Sequence, residues 1–472
     1  MSHRDPQPTA SGEPRVVRAL ARIALDIFYR RVEVEGAEHV PRDGAAVFVG
    51  NHASALLDPA LFVAYLPRTP RFLAKSTLWD NPVVRPFLGL AAAIPVYRRQ
   101  DAVDPANNAA TFERCHDVLA TDGAIALFPE GTSHDGPSLL PLKTGMARIV
   151  LQALDRFPEA TIRIVPVGFV FDDKTRFRSR VLIHVGEPID PAEEAARYAA
   201  AGRKGDPNGD SDGDDEARRA VLDLTERVRE ALEGVTLNYP SWEEATLIDH
   251  AARIWARPNP DVPSERPMAE MVPVRRLFAE GYATLLERFP ERIHAVAEQV
   301  RRYDQQLDLY RLRDEQVASA YPPGTVLRFT VKSLVVLLVR LPLGALGIVL
   351  HAPSYHLVDV LARRFSPSSD SLSTYKVFAG LFVYPPTWGL LAGLAGWWAG
   401  LWAGLGALIL GPLSGLYAIR FLQRKDVLFD QARAFLLLRS GRRGIDALRR
   451  QRERVLAAVG ELVDEWRAST ER

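Results

Sequence analysis

The stretch VFVGNHASALLDPALF, Val47–Phe62, reads as a short apolar run, a loop of small residues and the start of a helix. A β-rich run feeding a helical stretch through a loop is one step of an alternating α/β chain. The loop also carries a candidate for chemistry. His52 and Asp58 stand on either side of five small or apolar residues. A neutral imidazole can take a proton from a hydroxyl near neutral pH. A carboxylate on its other nitrogen holds the ring in one tautomer and stabilises the imidazolium that forms. No GxSxG nucleophile motif occurs, so the hydroxyl would belong to a substrate. On spacing alone, a chance neighbourhood of His and Asp is the alternative.

The same alternation extends on both sides. β-rich runs recur as VEVEG, AAVFVG, RFLA, IPVY, AIALF, IRIVPVGFV and VLIHVG, with helical patterns DPALFVAYL, NNAATFERCHDVLA and LKTGMARIVLQALDRF between them. This predicts an α/β domain over 32–200, a mostly parallel mixed sheet flanked by helices. Before it, 1–31 holds a polar, Pro-containing start without a signal-peptide core, expected to be disordered and cytoplasmic. A basic amphipathic helix then places Val16, Leu20, Ile23 and Ile27 on one face, either for core packing or for lying on a membrane surface.

After the α/β domain, 201–219 is Gly/Asp-rich and reads as a solvated linker. Its Asn208, Asp210, Asp212 spacing lacks the closing Glu of a calcium loop, since Arg219 takes that place. Residues 220–325 look helical, with a capping box at Ser241 and Glu244 opening one helix. Over 326–421 the composition turns apolar. Val377–Ile419 runs 43 residues without a charge, and a span needs about twenty. Two helices and a tight turn fit it, a C-terminal transmembrane hairpin, with Gly for close packing and Trp and Tyr as interface anchors. Basic residues flank it at both ends, Arg363, Arg364 and Lys376 before and Arg420, Arg424 and Lys425 after. That favours a hairpin with both ends on the cytoplasmic side. Ser333–Leu350 is also apolar but carries Arg340 and Pro342, so an interfacial or re-entrant segment is expected, with a true span as competitor. An Arg-rich helical tail, 422–472, is expected in the cytoplasm. The chain has 472 residues, a formal charge of +1 and one cysteine. Near-balanced charge gives no reason to expect a nucleic-acid partner. Cys115 has no partner for a disulfide and reads as a structural thiol.

A second loop, FPEGTS after the strand AIALF, holds Glu130, Gly131, Thr132 and Ser133, with Lys143 downstream. Gly131 allows close backbone approach, and N–H groups at such a turn can form an anion nest. IPVYRR sets Arg98 and Arg99 at a strand end, and arginine suits bidentate phosphate binding. His134 reads as a solvated loop histidine, with a second base as the rival.

Taken in order, NHASALLDP, IPVYRR, FPEGTS and IVPVGF resemble the four motifs of the phospholipid/glycerol acyltransferase family, over roughly Val32–Pro191. Two departures stand out. Most members put four residues between the His and the Asp, whereas here there are five, a form similar to a membrane-bound subgroup that also includes fungal glycerol-3-phosphate acyltransferases. Alanine also stands where glycine is usual, around Ala92. The resemblance implies that His52 deprotonates a glycerol hydroxyl, oriented by Asp58, for attack on the thioester of acyl-CoA or acyl carrier protein. It implies that Arg98, Gly131 and Thr132 hold the acceptor phosphate, that Glu130 positions Arg98 or an acceptor hydroxyl, and that Pro166 borders the acyl site. Glycerol-3-phosphate or a lysophospholipid is the expected acceptor, membrane lipid the surroundings, and no metal or redox cofactor is expected. Acylation of another lipid acceptor is the runner-up, and an inactive lipid-binding scaffold the reading from another class.

Overall fold

The computed structural model describes residues 14–81, 84–97, 108–204, 211–256, 266–318, 323–366, 371–439 and 443–470. The chain divides into two units: Met1–Leu237 with Ser368–Thr374, and Asn238–Pro367 with Tyr375–Arg472.

In the first unit all seven expected strands form, as β1 (Arg31–Glu35), β2 (Ala45–Gly50), β3 (Arg71–Lys75), β4 (Ile94–Val96), β5 (Ala124–Leu127), β6 (Ile162–Phe171) and β7 (Arg180–Val185). Its helices are α1 (Pro14–Phe28), α2 (Leu57–Tyr65), α3 (Arg85–Leu90), α4 (Asn108–Ala120), α5 (Gly145–Arg156), α6 (Ala192–Lys204) and α7 (Ser211–Val235). The sheet order is β1-β7-β6-β2-β5-β3-β4. Every pairing is parallel except β6 with β7. β2 lies at the centre and is buried along its whole length, as its unbroken apolar run requires. Val47, Val49, Ile125 and Ile164 pack against α5 and α7 through Ile149, Val150, Leu224 and Val228. On the other face Phe62 of α2 meets Phe48 and Phe169 edge-on. Cys115 is fully buried, and burial pushes its thiol up to about 12, so it is a structural residue.

Two features differ from the sequence reading. Helix covers much of the expected linker, because α6 runs to Lys204 and α7 starts at Ser211. α7 then packs Ala220, Val221, Leu224 and Leu232 into the α/β core, so this unit extends to Leu237. In α1, the expected apolar face is partly turned outward: Leu20 is 62% exposed and Ile23 58%. Leu25, Phe28 and Tyr29 are buried instead, while Arg18 bonds Thr69 and Arg22 stacks over Tyr65. Ala92 has φ 46, in the left-handed region that favours glycine. The one place where the second motif departs from the usual glycine is thus a place where the backbone conformation suits glycine.

The second unit is helical: α8 (Trp242–Trp255), α9 (Met268–Arg288), α10 (Pro290–Tyr310), α11 (Asp314–Ala318), α12 (Pro323–Phe365), α13 (Leu372–Ala399), α14 (Leu401–Arg439) and α15 (Arg443–Thr470), with the first residues of α13 counted in the α/β unit. Ser241 caps α8 by accepting from Glu244 N, and its hydroxyl also bonds the Glu244 carboxylate. Leu247 and Ile254 of α8, Val300 and Tyr303 of α10, and Ile445, Leu448 and Val455 of α15 share one core. The charge-free segment forms two helices with Gly400, at φ 89, as the break between them.

Among the described residues, three stretches are long and apolar enough to cross a membrane: Leu334–Phe365, Leu372–Ala399 and Leu401–Leu437. Of the interfacial, re-entrant and spanning forms expected for Ser333–Leu350, the re-entrant one does not occur, since α12 runs unbroken through Arg340 and Pro342. Close packing against α14 accounts for this. A Cβ on Gly344 would strike the Phe421 ring, and one on Gly347 the Ser414 carbonyl. Small residues let two helices touch along their length and hold each other straight.

Candidate active site

β2 and β5 are parallel neighbours, so the loops after Gly50 and after Leu127 leave the same edge of the sheet. That edge, beyond the carboxyl ends of parallel strands, is where open α/β sheets place their sites. Asn51 extends the β2–β6 ladder with its side chain. Its amide donates to Phe169 O at 3.1 Å and its oxygen accepts from Phe169 N at 2.7 Å. This fixes where the next residue, His52, begins.

His52 and Asp58 do meet: Nδ1 lies 3.0 Å from Asp58 Oδ2. The five-residue gap closes as a single turn. Asp58 N donates to Ser54 O at 3.1 Å, and Ser54 N donates to Asp58 Oδ2 at 2.7 Å. Asp58 sits in the first turn of α2, where the helix dipole favours a carboxylate and Pro59 gives up no hydrogen bond. Asp58 is fully buried. Burial pushes its carboxyl up, opposed by the hydrogen bond from His52 and, more weakly, by Ser54 N and the charge of Lys174. An ionised Asp58 only accepts, so His52 Nδ1 carries the proton and Nε2 keeps a lone pair. The His52 ring stacks on Phe128, centroids 4.1 Å apart and 7° from parallel, which fixes its plane.

Glu130 has a role within the protein that the resemblance does not name. Its buried carboxylate accepts from His52 N at 2.7 Å and Leu140 N at 2.9 Å, and pairs with His134 Nε2. Burial raises the Glu130 carboxyl, but the hydrogen bonds from His134, Leu140 and His52 outweigh it and hold the group below the usual carboxylate range. Both oxygens are thus engaged by the protein itself, and Glu130 ties the two site loops together. His134 is neither a solvated histidine nor a free base. Its Nδ1 accepts from Gly136 N, which leaves Nε2–H to donate to Glu130, while its backbone N bonds His52 O.

Gly131 has φ 76, and a Cβ there would overlap Lys143 Nζ, so the structure brings Lys143 and Gly131 together. The Gly131 N–H closes a turn onto Phe128 O and is not free for an anion. Thr132 is exposed beside it, its hydroxyl donating to Ser133 O at 3.3 Å. Pro166 stands opposite Val49 in the register of β6 with β2. It is buried beside Val235 of α7, both lying over Gly186, on the side of the sheet that Ile164 faces. Arg98 and Arg99 lie outside the described residues.

Sequence reasoning missed Lys174, in the β6–β7 connection. Its amine donates to Ala53 O at 2.7 Å and His134 O at 2.9 Å, and pairs with Asp135 at 2.9 Å. It also missed Asn51 and Phe128, although each neighbours a motif residue. No group of three or more His, Cys, Asp or Glu suited to a metal ion occurs among the described residues.

The fold and these loops define an α/β domain with a histidine held by a buried aspartate at the carboxyl edge of the sheet. Residues 31–170 match the acyltransferase family, and 247–470 match the glycerol-3-phosphate acyltransferase 2 C-terminal domain. The first match lies over the α/β unit and the second over most of the helical unit. It is 28% identical over 294 residues to glycerol-3-phosphate O-acyltransferase 2 of Saccharomyces cerevisiae, covering 59% of this chain and 37% of that protein. It is 26% identical over 289 residues to glycerol-3-phosphate O-acyltransferase 1 of the same yeast, covering 60% and 35%. With the 1-acyl-sn-glycerol-3-phosphate acyltransferase of Borreliella burgdorferi it shares 29% identity over 137 residues, covering 29% and 53%. The chain thus spans little more than a third of the length of the two yeast relatives. The crystal structure of the 1-acyl-sn-glycerophosphate acyltransferase from Thermotoga maritima overlays with a TM-score of 0.32 at 22% identity, over 47% of this chain and 79% of that one.

Proposed function

We propose that this chain transfers an acyl group from acyl-CoA or acyl carrier protein to a hydroxyl of glycerol-3-phosphate or lysophosphatidate. The observation that carries the reading is the dyad: His52 Nδ1 is held by Asp58 at 3.0 Å, which leaves Nε2 as the accepting base. In the reaction, Nε2 takes the acceptor's proton and the oxygen attacks the thioester carbonyl. The tetrahedral adduct then expels the thiolate, which recovers the proton from the imidazolium. One C–O bond forms, one C–S bond breaks, and the products are an ester and a free thiol. The balance needs no metal and no redox group. Lys143, Thr132 and Arg98 supply the charge and hydroxyl for the acceptor phosphate. The relatives' names, which specify glycerol-3-phosphate and its 1-acyl form, support this choice of acceptor.

The site works at a membrane, on the cytoplasmic face where acyl thioesters are made. The core shared by α8, α10 and α15 supports an even number of crossings, because these helices precede and follow all three apolar helices. The pair α13–α14, turning at Gly400, is the hairpin that enters the bilayer. Trp397, Trp398 and Trp402 are 84–88% exposed at its tip. α12 packs against α14 at Gly344 and Gly347, and an even count leaves it with no full crossing of its own, consistent with Arg340 near its middle. The deciding experiment offers the purified protein labelled acyl-CoA with glycerol-3-phosphate and with lysophosphatidate in parallel. Transfer to either acceptor is the expected result. Transfer only to a phosphate-free acceptor, or none, would overturn the reading.

A further inference from the structure

The chain returns to the catalytic loop from far away in sequence. Ser373 and Thr374, 1% and 4% exposed, belong to the α/β unit although they open α13. Leu56 N, inside the turn between His52 and Asp58, donates to Thr374 Oγ1 at 3.2 Å. The Ser373 hydroxyl donates to the backbone oxygen of Lys174. The Lys174 amine in turn grips Ala53 O and His134 O. Between them, these groups engage the backbone of the 52–58 turn at Ala53 and Leu56, while Asp58 itself engages Ser54 N. The turn's geometry sets whether Asp58 reaches His52, since the loop carries one more residue than the common form of the motif.

We propose that Thr374, with Ser373 and Lys174, forms a clasp that positions the His52–Asp58 turn. Because the same stretch runs on without a break into the apolar helix α13, the clasp also makes turnover depend on a lipid surface holding that helix. Thr374 and Ser373 are positioning residues and touch no reacting atom. Thr374 lies at the root of an apolar helix and is buried. Here it accepts the hydrogen bond of a backbone N–H that the catalytic turn would otherwise leave without a protein partner.

This inference rests on the functional reading above, and the test separates the two. The full chain is assayed in phospholipid vesicles and in detergent, with a short-chain acyl-CoA and glycerol-3-phosphate, both water-soluble. Wild type is expected to turn over several-fold faster in vesicles. Thr374→Val, which keeps the shape and removes the acceptor, should lower kcat in vesicles about five- to tenfold and leave the acyl-CoA KM unchanged. Thr374→Ser should restore it. Hydrogen exchange over 52–58 gives a readout independent of turnover: it should be faster in Thr374→Val than in wild type or Thr374→Ser. A wild type without transfer overturns the functional reading but leaves the exchange result to decide the clasp. Unchanged exchange in Thr374→Val overturns the clasp, as does kcat in Thr374→Val equal to wild type in vesicles.

Discussion

Replacing Asp58 by Asn tests the dyad in its sharpest form, because the local geometry says which way the new amide must point. Asp58 Oδ2 accepts two hydrogen bonds, from His52 Nδ1 at 3.0 Å and Ser54 N at 2.7 Å. An Asn must therefore put its oxygen there, since its NH2 would face two donors. Its NH2 then takes the place of Oδ1, a buried atom that has no hydrogen-bond partner among the described residues. The turn and the histidine tautomer survive, and what is lost is the negative charge. Two unit charges about 4 Å apart interact by roughly 4 kcal/mol at an effective dielectric of 20. That interaction appears only when His52 becomes an imidazolium, so it is lost from the transition state and not from the ground state. At about 1.4 kcal/mol per decade, kcat should fall by roughly two to three decades, with KM for both substrates little changed. Stability should move the other way. The folded state raises the Asp58 carboxyl above its ordinary value, so keeping it ionised at neutral pH costs folding free energy, and the cost vanishes as pH falls through the raised value. Asp58→Asn should therefore melt at or above the wild-type temperature at pH 7, an advantage that shrinks on acidification. Single-turnover transfer of labelled acyl groups and calorimetry at two pH values read the two effects. A kcat within fivefold of wild type would refute the charge argument, and a lower Tm at pH 7 would refute the placement of the amide.

His52→Ala should lower transfer by about two to four decades while circular dichroism and membrane attachment stay as in wild type; near-normal turnover would remove His52 as the base. Glu130→Gln puts its oxygen where His134 and Leu140 N donate and leaves its NH2 facing the His52 N–H, and should cost about 1–3 kcal/mol of stability at pH 7, read by denaturant unfolding. Because the fold lowers the Glu130 carboxyl, its contribution is complete above about pH 4.3 and is lost as pH falls through the lower folded value; the gap between variant and wild type should close there, and a gap that widens in acid would contradict the assignment. Ala92→Gly should stabilise the chain by about 1 kcal/mol, because φ 46 is strained for alanine; a lower unfolding midpoint would show that alanine's side chain matters more than the strain. Single cysteines at Ser211 and Ser469 should be labelled from the same side of sealed vesicles; labelling from opposite sides would mean an odd number of crossings.

Much of this was legible in the sequence because it is periodic or local. Seven strands and the helices between them follow from runs of Val, Ile, Phe and Ala broken by turn residues. The two-helix reading of Val377–Ile419 follows from the length of a charge-free run, and its break falls on a glycine. His52 and Asp58 were identifiable as candidates, six positions apart, and FPEGTS marked the second loop. What the sequence could not say was which polar groups would be consumed by the protein itself. Glu130 looked like a group facing a substrate and His134 like a solvated loop residue, yet in the fold they satisfy each other and the backbone of His52. A buried carboxylate must find donors, and its donors come from wherever the chain passes close in space. Lys174 lies 121 residues from the carbonyl it holds, and Thr374 lies 318 residues from the amide it accepts. No periodicity encodes pairings at those separations. The sequence determined the elements and the chemical candidates, and the packing of a sheet edge against distant chain decided which candidate was left with a free lone pair.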